Sequence, residues 1–220
     1  MTVYAPLSRI REAFLPDAHG RTVLDVGGGN GSFGALFAQR GARVLPIDTD
    51  RRALLQADSS LQAVRGSLLQ IPVRDGSADA VVGRAVLHHV PDALPLAVSE
   101  IARVLAARGT LLIQEPCAGN LPAALARRFF PTDRHEPGER VLPLTAYVEA
   151  IRARFEVEAV TPHFLTSYLL PHLVGRFPTA LRPLARRVTA VLAGVDEGLL
   201  EGSSRLASRA AYVSIEARKR

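Results

Sequence analysis

The stretch Val23-Leu24-Asp25-Val26-Gly27-Gly28-Gly29-Asn30-Gly31 decides the fold of this 220-residue chain. A short apolar run leads into a glycine-rich turn, and a helical pattern over Ser32–Arg40 follows the turn. This order leaves bare backbone N–H groups at a helix N-terminus, which a nucleotide-like ligand can approach because no Cβ stands in the way. The stretch therefore predicts a nucleotide-binding turn in a parallel α/β sheet.

An acidic residue at the end of the next strand supports this interpretation. The apolar run Arg43–Ile47 ends at Asp48, about 20 residues after the turn, where a carboxylate can accept hydrogen bonds from both ribose hydroxyls. A purely structural glycine turn does not explain that acid. A P-loop is excluded because no Gly-Lys-Ser/Thr follows. Gly29-x-Gly31-x-x-Gly34 also matches the dinucleotide fingerprint, so a nicotinamide or flavin site stays open at this point.

Strand and helix patterns alternate along the first half and become irregular in the second. We expect a Rossmann-like seven-stranded, mostly parallel sheet with helices on both faces and a helical cap insertion between strands six and seven. The predicted strands are 22–26, 43–47, 61–65, 78–83, 110–114, 156–160 and 211–217, and the predicted helices are 32–40, 51–57, 93–105 and 144–155. Within one domain we distinguish an N-terminal segment (1–20), a cofactor-binding core (21–116), a variable loop, helix and strand (117–160), the cap (161–208), and a last strand and tail (209–220).

Composition and charge exclude several classes of protein. Apolar residues make up 48% of the chain, too many for a disordered protein, and Cys117 alone forms neither an internal disulfide nor a structural zinc site. Every basic residue but Lys219 is Arg, and the positive excess falls mainly after residue 120, without aromatic clusters. We therefore expect no nucleic-acid partner. No leader pattern or apolar run of membrane-spanning length is present, which predicts a cytoplasmic location.

Further segments extend the pattern beyond the glycine turn. They are Asp25-x-Gly27-x-Gly29-x-Gly31, Val44–Asp48, Gly66–Val73, Val86-Leu87-His88-His89-Val90 and Glu100–Leu105 followed by Arg108-Gly109. Together they resemble the class I S-adenosylmethionine-dependent methyltransferases over residues 21–116, and within that family the small-molecule enzymes called type 11. The resemblance implies S-adenosylmethionine as the cofactor and the strand order 3-2-1-4-5-7-6.

The resemblance also assigns cofactor contacts residue by residue. Asp25 would support the glycine loop and the methionine ammonium, and Asp48 would hold the ribose. Ser67 stands where the family has an Asp that contacts adenine, and Arg84 would bind the cofactor carboxylate or an anionic substrate, or pair with a nearby acid. The remaining cofactor-binding residues are Gly27, Gly28, Gly29 and Gly31 at the amino-acid end and Thr49 and Leu68 at the adenine.

The acceptor is predicted only as a class. The resemblance favours methylation of a small organic molecule, first O-methylation of a phenol or hydroxyl, with C-methylation of a quinone-type or lipid-like acceptor as the alternative. An NAD(P)-dependent oxidoreductase and a catalytically idle cofactor-binding relative are the rivals. His135 is the candidate general base or a loop-capping residue. Tyr4, Tyr168 and His172 are candidate acceptor contacts. In the resembled family the second residue of the His88-His89 pair is structural, and no metal site is expected because adjacent side chains point in different directions.

A basic amphipathic segment lies within the predicted cap. Residues 162–195 contain no acid, and an apolar stripe runs along the helical pattern beside several arginines. The stripe consists of Leu184, Val188, Val191 and Leu192, and the arginines are Arg176, Arg182, Arg186 and Arg187. We expect a helix that packs this stripe on the domain. Peripheral contact with an anionic membrane is the alternative, and the oligomeric state is open.

Overall fold

A seven-stranded sheet organises the computed structural model, which describes residues 14–59, 61–129, 140–169 and 178–220. The strand order is β3-β2-β1-β4-β5-β7-β6, as the resemblance implies. β7 runs antiparallel to both of its neighbours, and the other pairs are parallel. The strands are β1 (Thr22–Val26), β2 (Arg43–Asp48), β3 (Val64–Arg65), β4 (Ala78–Arg84), β5 (Leu105–Pro116), β6 (Phe155–His163) and β7 (Tyr212–Lys219).

Helices cover both faces of this sheet. They are α1 (Ala35–Ala38), α2 (Arg51–Leu54), α3 (Leu94–Val104), α4 (Leu121–Phe129), α5 (Leu144–Arg152), α6 (Arg182–Glu201) and α7 (Ser204–Ala207). One face packs against α3 and α5, and its core includes Ile101, Leu105 and Tyr147, all fully buried. The other face packs Val82 and Leu112 against Phe37 of α1. Because both faces are covered, the central strands are continuous apolar runs, which is why the sequence revealed them.

Several predicted elements are shorter than their patterns indicated, among them the helices expected over 51–57 and 144–155, which are Arg51–Leu54 and Leu144–Arg152. The helix expected over 32–40 is limited to α1, because Gly31 takes a left-handed φ of 74° and residues 32–34 form turns before the helix begins. Likewise the strand expected over 61–65 is only Val64–Arg65, which pairs with the end of β2. Asp50 does cap α2, where its side chain accepts a hydrogen bond from the backbone N–H of Arg52.

The helical insertion between β6 and β7 is present. Asn120 attaches it to the body, and Asp196 attaches α6 to the segment that follows β6. Asn120, at the start of α4, donates to the backbone oxygens of Leu165 and Arg209 at 2.8 and 2.7 Å. Asp196 of α6 accepts hydrogen bonds from the backbone N–H groups and hydroxyls that follow β6. Burial opposes the ionised form of Asp196, but the hydrogen bonds from Ser167 and Thr166 outweigh it and lower the pKa.

The orientation of α6 corrects one expectation. Leu184, Val188 and Val191 do not pack on the domain, since they are 61%, 48% and 67% exposed. The side that faces the body carries instead Asp196 and Leu200, both buried. No helix in the described part of the chain is long and apolar enough to cross a membrane. The subdivision of the chain into five segments stays a prediction.

Candidate functional site

The glycine turn lies at the C-terminal end of β1 and is tied to β2. Gly27 and Gly28 donate their backbone N–H groups to the carbonyl oxygen of Ile47, at 2.8 and 3.2 Å. Gly27 has a left-handed φ of 66°, and a Cβ there would lie 2.5 Å from the Cγ2 atom of Val86. Glycine is therefore required at this position both by its conformation and by the close approach of the turn that follows β4.

Asp25 lies under the turn with one carboxylate oxygen satisfied and the other unpaired. Its Oδ2 atom accepts a hydrogen bond from the backbone N–H of Gly34 at 2.8 Å. Its Oδ1 atom is buried and makes no hydrogen bond with the described residues. Burial raises the pKa of Asp25 to about 7, although the Gly34 hydrogen bond and the charge of Arg84 act in the opposite direction. An unpaired buried carboxylate oxygen is costly, so this atom fits a cationic ligand group such as an ammonium.

Asp48 joins the end of β2 to the same turn. Its Oδ2 atom accepts from the backbone N–H of Gly29 at 2.9 Å, and its Oδ1 atom accepts from that of Asp50 at 2.8 Å. Gly29 and Gly31 both have left-handed φ angles, 53° and 74°. Asp48 is thus held beside the glycine turn, and Thr49 next to it is exposed. These positions fit an S-adenosyl group, whose ribose requires a fixed acceptor at the end of the second strand.

The segment after β3 is fixed by the Glu100-x-x-Arg103 motif. The Oε2 atom of Glu100 accepts from the backbone N–H of Ile71 at 3.0 Å, and Arg103 donates to the carbonyl oxygens of Ile71 and Val73 at 2.8 and 2.9 Å. The hydrogen bond from Arg103 lowers the pKa of Glu100. The motif therefore has a structural role, namely to hold the loop that begins with Ser67.

Ser67 and Leu68 begin that loop. The Oγ atom of Ser67 accepts from the backbone N–H of Leu69 at 3.1 Å, which closes a local turn. Leu68 is buried and belongs to the main core. Contact of either residue with adenine stays a prediction.

Arg84 is the last residue of β4 and lies close to Asp25 under the glycine turn. Its guanidinium carbon is 4.0 Å from the ring centroid of Phe33, and its charge acts on Asp25. Its Nε atom donates to Oε1 of Gln114 at 2.9 Å. The next residue, Ala85, takes an uncommon left-handed φ of 56° and donates its N–H to the Gln114 carbonyl oxygen at 2.7 Å. The chain therefore turns sharply at Ala85, directly after Arg84 at the end of β4.

A line of hydrogen-bonded polar side chains continues from Arg84 across the sheet. The Nε2 atom of Gln114 on β5 donates to Ser214 Oγ on β7 at 3.2 Å. Ser214 Oγ lies 2.8 Å from the Nε2 atom of His163 at the end of β6. Burial lowers the pKa of His163 to about 4, so this ring is neutral at physiological pH. The line fixes Arg84 from β5, β7 and β6 and runs along the edge of the sheet where the glycine turn opens.

The turn after β4 corrects the assignment within the His88-His89 pair. His88, the first of the two, is buried, and its Nδ1 atom is 2.8 Å from Oε2 of Glu115. Glu115 also accepts the backbone N–H groups of Val86 and Leu87, each at 2.8 Å. His89 is exposed. The first histidine is therefore the structural one, because only its side chain points at the buried carboxylate.

Only one of the residues predicted as the general base or as acceptor contacts lies within the described part of the chain. Tyr4, His135 and His172 lie outside them, so the general base stays a prediction. Tyr168 is buried and stacks on Tyr212, with ring centroids 5.8 Å apart. The sequence interpretation missed Gln114 and Glu115, although adjacent polar residues at the end of an apolar strand are a usable signal for a site at this sheet edge.

Comparisons with known proteins agree with this geometry. A protein-family model described as a methyltransferase domain, of type 11, matches residues 24–113. An uncharacterized methyltransferase of Mycobacterium sp. (strain JLS) is 44% identical over 89 residues, which cover 39% of this chain and 34% of the relative. The chain thus spans about a third of the length of the curated relatives that it matches.

Solved structures share the fold at low identity. Geranyl diphosphate methyltransferase in complex with S-adenosylmethionine gives a TM-score of 0.67 at 16% identity, covering 98% of this chain and 85% of that chain. The cyclase SpnF gives 0.65 at 21% identity, covering 97% and 80%. These structures show the fold alone, whereas the family match covers the glycine turn, Asp48 and the turn after β4. Residues 24–113 therefore match the methyltransferase domain of type 11, and the relative that is 44% identical over 89 residues is named a methyltransferase.

Proposed function

We propose that this protein transfers a methyl group from S-adenosylmethionine to a small organic acceptor. The observation that carries the proposal is the buried, unpaired Oδ1 atom of Asp25 beneath the glycine turn. An ammonium group supplies what this oxygen lacks, a charged hydrogen-bond donor. The ribose acceptor Asp48 is fixed beside the same turn by Gly29, so one ligand with both groups satisfies the two acids together.

The chain's own residues would mainly bind the cofactor and align the acceptor with its methyl group. S-adenosylmethionine, when bound, supplies a sulfonium methyl that is activated for in-line displacement. Asp25 and the glycine turn hold its amino-acid end, Asp48 holds the ribose, and the segment starting at Ser67 borders the adenine. Since the methyl is already activated, most of the catalytic effect comes from alignment of the acceptor and exclusion of water.

For the acceptor we propose a phenol or hydroxyl, supported by the position of Arg84. Its guanidinium is held by Gln114 at the edge of the sheet beside the glycine turn. A fixed cation there favours an acceptor oxygen that ionises, because an adjacent positive charge lowers the pKa of a phenol. The buried line through Ser214 to His163 keeps the guanidinium in place while the acceptor binds. C-methylation of a quinone-type acceptor remains the alternative outcome of the experiment below.

The test is an acceptor screen with two readouts. The protein is incubated with methyl-labelled S-adenosylmethionine and panels of phenols, alcohols and quinones, and products are identified by mass and by the atom that carries the label. Binding of S-adenosylhomocysteine is measured separately by calorimetry. We expect a labelled methyl ether, and loss of both readouts in Asp48→Ala. Label on ring carbon would replace the phenol proposal, and binding without turnover on any panel would indicate a catalytically idle relative.

A further inference from the structure

Helix α6 presents its large aliphatic side chains to solvent. Five of them are spaced by three or four residues and are each between 46% and 67% exposed. We call them the α6 stripe: Leu184, Val188, Val191, Val195 and Leu199. A surface helix normally turns such a stripe toward the core, so this arrangement marks an interaction surface.

The stripe cannot be hidden by rotation of the helix within the monomer. Asp196 lies about 100° around α6 from Val195 and accepts five hydrogen bonds of 2.7 to 2.9 Å from residues 165–167. Leu200, one turn later, is buried on the same side. A rotation that buried Val191 would pull the Asp196 carboxylate away from these donors and leave three backbone N–H groups unpaired.

We propose that α6 is a homodimer interface in which the α6 stripes of two copies pack antiparallel to one another. Leu184, Val188, Val191 and Val195 follow the four-three-four spacing of a coiled-coil seam, with Val188 and Val195 at position a and Leu184 and Val191 at position d. In an antiparallel pair, an a residue faces a d residue of the other helix. Val191 of each copy therefore packs on Val195 of the other, about a two-fold axis near the middle of α6.

The charges beside the stripe fit this orientation. Arg187 and Glu201 are exposed and lie fourteen residues apart, which is two heptads, so they occupy the same flank of the helix. In the register that pairs Val191 with Val195, Arg187 of each copy meets Glu201 of the other, and the two-fold axis forms this ion pair twice. A parallel pair would instead bring the two arginine-containing halves together, because Arg182 and Arg187 both lie in the first half of α6.

A second copy fits the surface better than a lipid membrane does. The stripe contains no aromatic side chain, and the exposed Glu201 on its flank would be repelled by anionic lipid. Gly194 and Gly198 border the stripe, and a Cβ added to either would meet nothing within 4 Å. That open space on the helix surface allows the backbone of another helix to approach closely.

The first test measures mass as a function of concentration by sedimentation equilibrium. We expect a dimer for the wild type and a dissociation constant at least roughly a hundredfold larger for Val191→Asp, because each dimer would then bury two unpaired carboxylates. The matched control is Leu96→Asp, at an aliphatic residue of α3 that is 51% exposed, and it should leave the dimer unchanged. A wild type that is monomeric at every concentration overturns the proposal.

The second test uses exposed charges that do not affect folding of the monomer. Arg187→Glu and Glu201→Arg should each weaken the dimer, and the double reversal in one chain should restore it, because both ion pairs re-form with opposite polarity. Unfolding curves of the three variants check that the monomer is intact. Loss of the dimer in the double reversal would overturn the antiparallel register.

Cysteine cross-linking tests the orientation directly. A mixture of Val191→Cys and Val195→Cys chains should oxidise to the mixed dimer, whereas a parallel pair would give cross-links within each variant alone. Cys117 does not interfere because it is buried. The vesicle control measures binding of the protein to vesicles of phosphatidylglycerol and phosphatidylcholine. If the wild type binds these vesicles as a monomer and Val191→Asp abolishes that binding, the surface belongs to lipid and the dimer proposal is overturned.

Discussion

The unpaired carboxylate of Asp25 predicts that cofactor binding depends on pH. With a pKa of about 7 in the free protein, Asp25 is mostly protonated at pH 5.5 and mostly ionised at pH 7.5. An ammonium placed against Oδ1 keeps Asp25 ionised in the complex, so binding at low pH requires the loss of a proton. The ionised fraction rises from about 3% to about 76% between these pH values, which predicts roughly 25-fold tighter binding at pH 7.5.

The assay is calorimetric titration with S-adenosylhomocysteine between pH 5.5 and 7.5, where the ligand's amino group is largely protonated. Asp25→Asn should bind more weakly and lose the pH dependence, because the amide does not titrate. Asp92→Asn is the matched control, since Asp92 is an exposed carboxylate paired with Arg140, and it should keep the full slope. Equal affinity of the wild type at both pH values would refute the pairing of Asp25 with the ammonium.

The same carboxyl should make the free protein less stable as pH rises. The folded state raises the pKa of Asp25 from 3.8 to about 7, so it holds a proton that the unfolded state releases between these values. The stabilising contribution is complete below pH 3.8 and is lost as pH rises to 7, by about 4 kcal/mol at most. Asp25→Asn should therefore unfold at higher urea concentration than the wild type at pH 8, although it binds the ligand less well.

Three further substitutions test the surroundings of the site. Arg103→Met removes the donors to Ile71 and Val73 and should lower the free energy of unfolding, measured in urea, by about 2 kcal/mol. If the contacts with these backbone oxygens dominate, high salt should not reduce this loss. Ser67→Asp restores the acid that the family has at this position and should tighten S-adenosylhomocysteine binding by about tenfold; unchanged affinity would show that adenine is held elsewhere. Asp196→Ala leaves the donors of residues 165–167 unpaired and should lower the free energy of unfolding by about 3 kcal/mol, with faster proteolysis near α6, whereas Glu149→Ala, at an exposed acid of α5, should change neither.

The sequence was most informative where a residue is constrained by its immediate neighbours in the chain. The glycine turn and Asp48 were predicted because strand, turn and acid follow in a fixed order, and the structure joins them through the Gly29 N–H. The line from Gln114 to His163 was not predicted, since its members lie about 50 to 100 residues apart and no local pattern connects them. Which histidine of the His88-His89 pair is structural likewise depends on Glu115, which lies on a different strand, so the local sequence could not show it.

Helix α6 shows a second limit, because periodicity reveals an apolar stripe but not the direction that it faces. Turning the stripe inward would recover about 1 kcal/mol for each of five half-exposed aliphatic side chains. It would also break five hydrogen bonds to the Asp196 carboxylate, each worth about 1.5 to 3 kcal/mol, and leave their donors unsatisfied. The polar contact therefore fixes the rotation of the helix within one chain. None of the described residues covers the stripe in this orientation, so a second chain can bury it. The contact of Asp196 with residues 165–167 therefore both orients α6 and leaves exposed the surface of the proposed dimer.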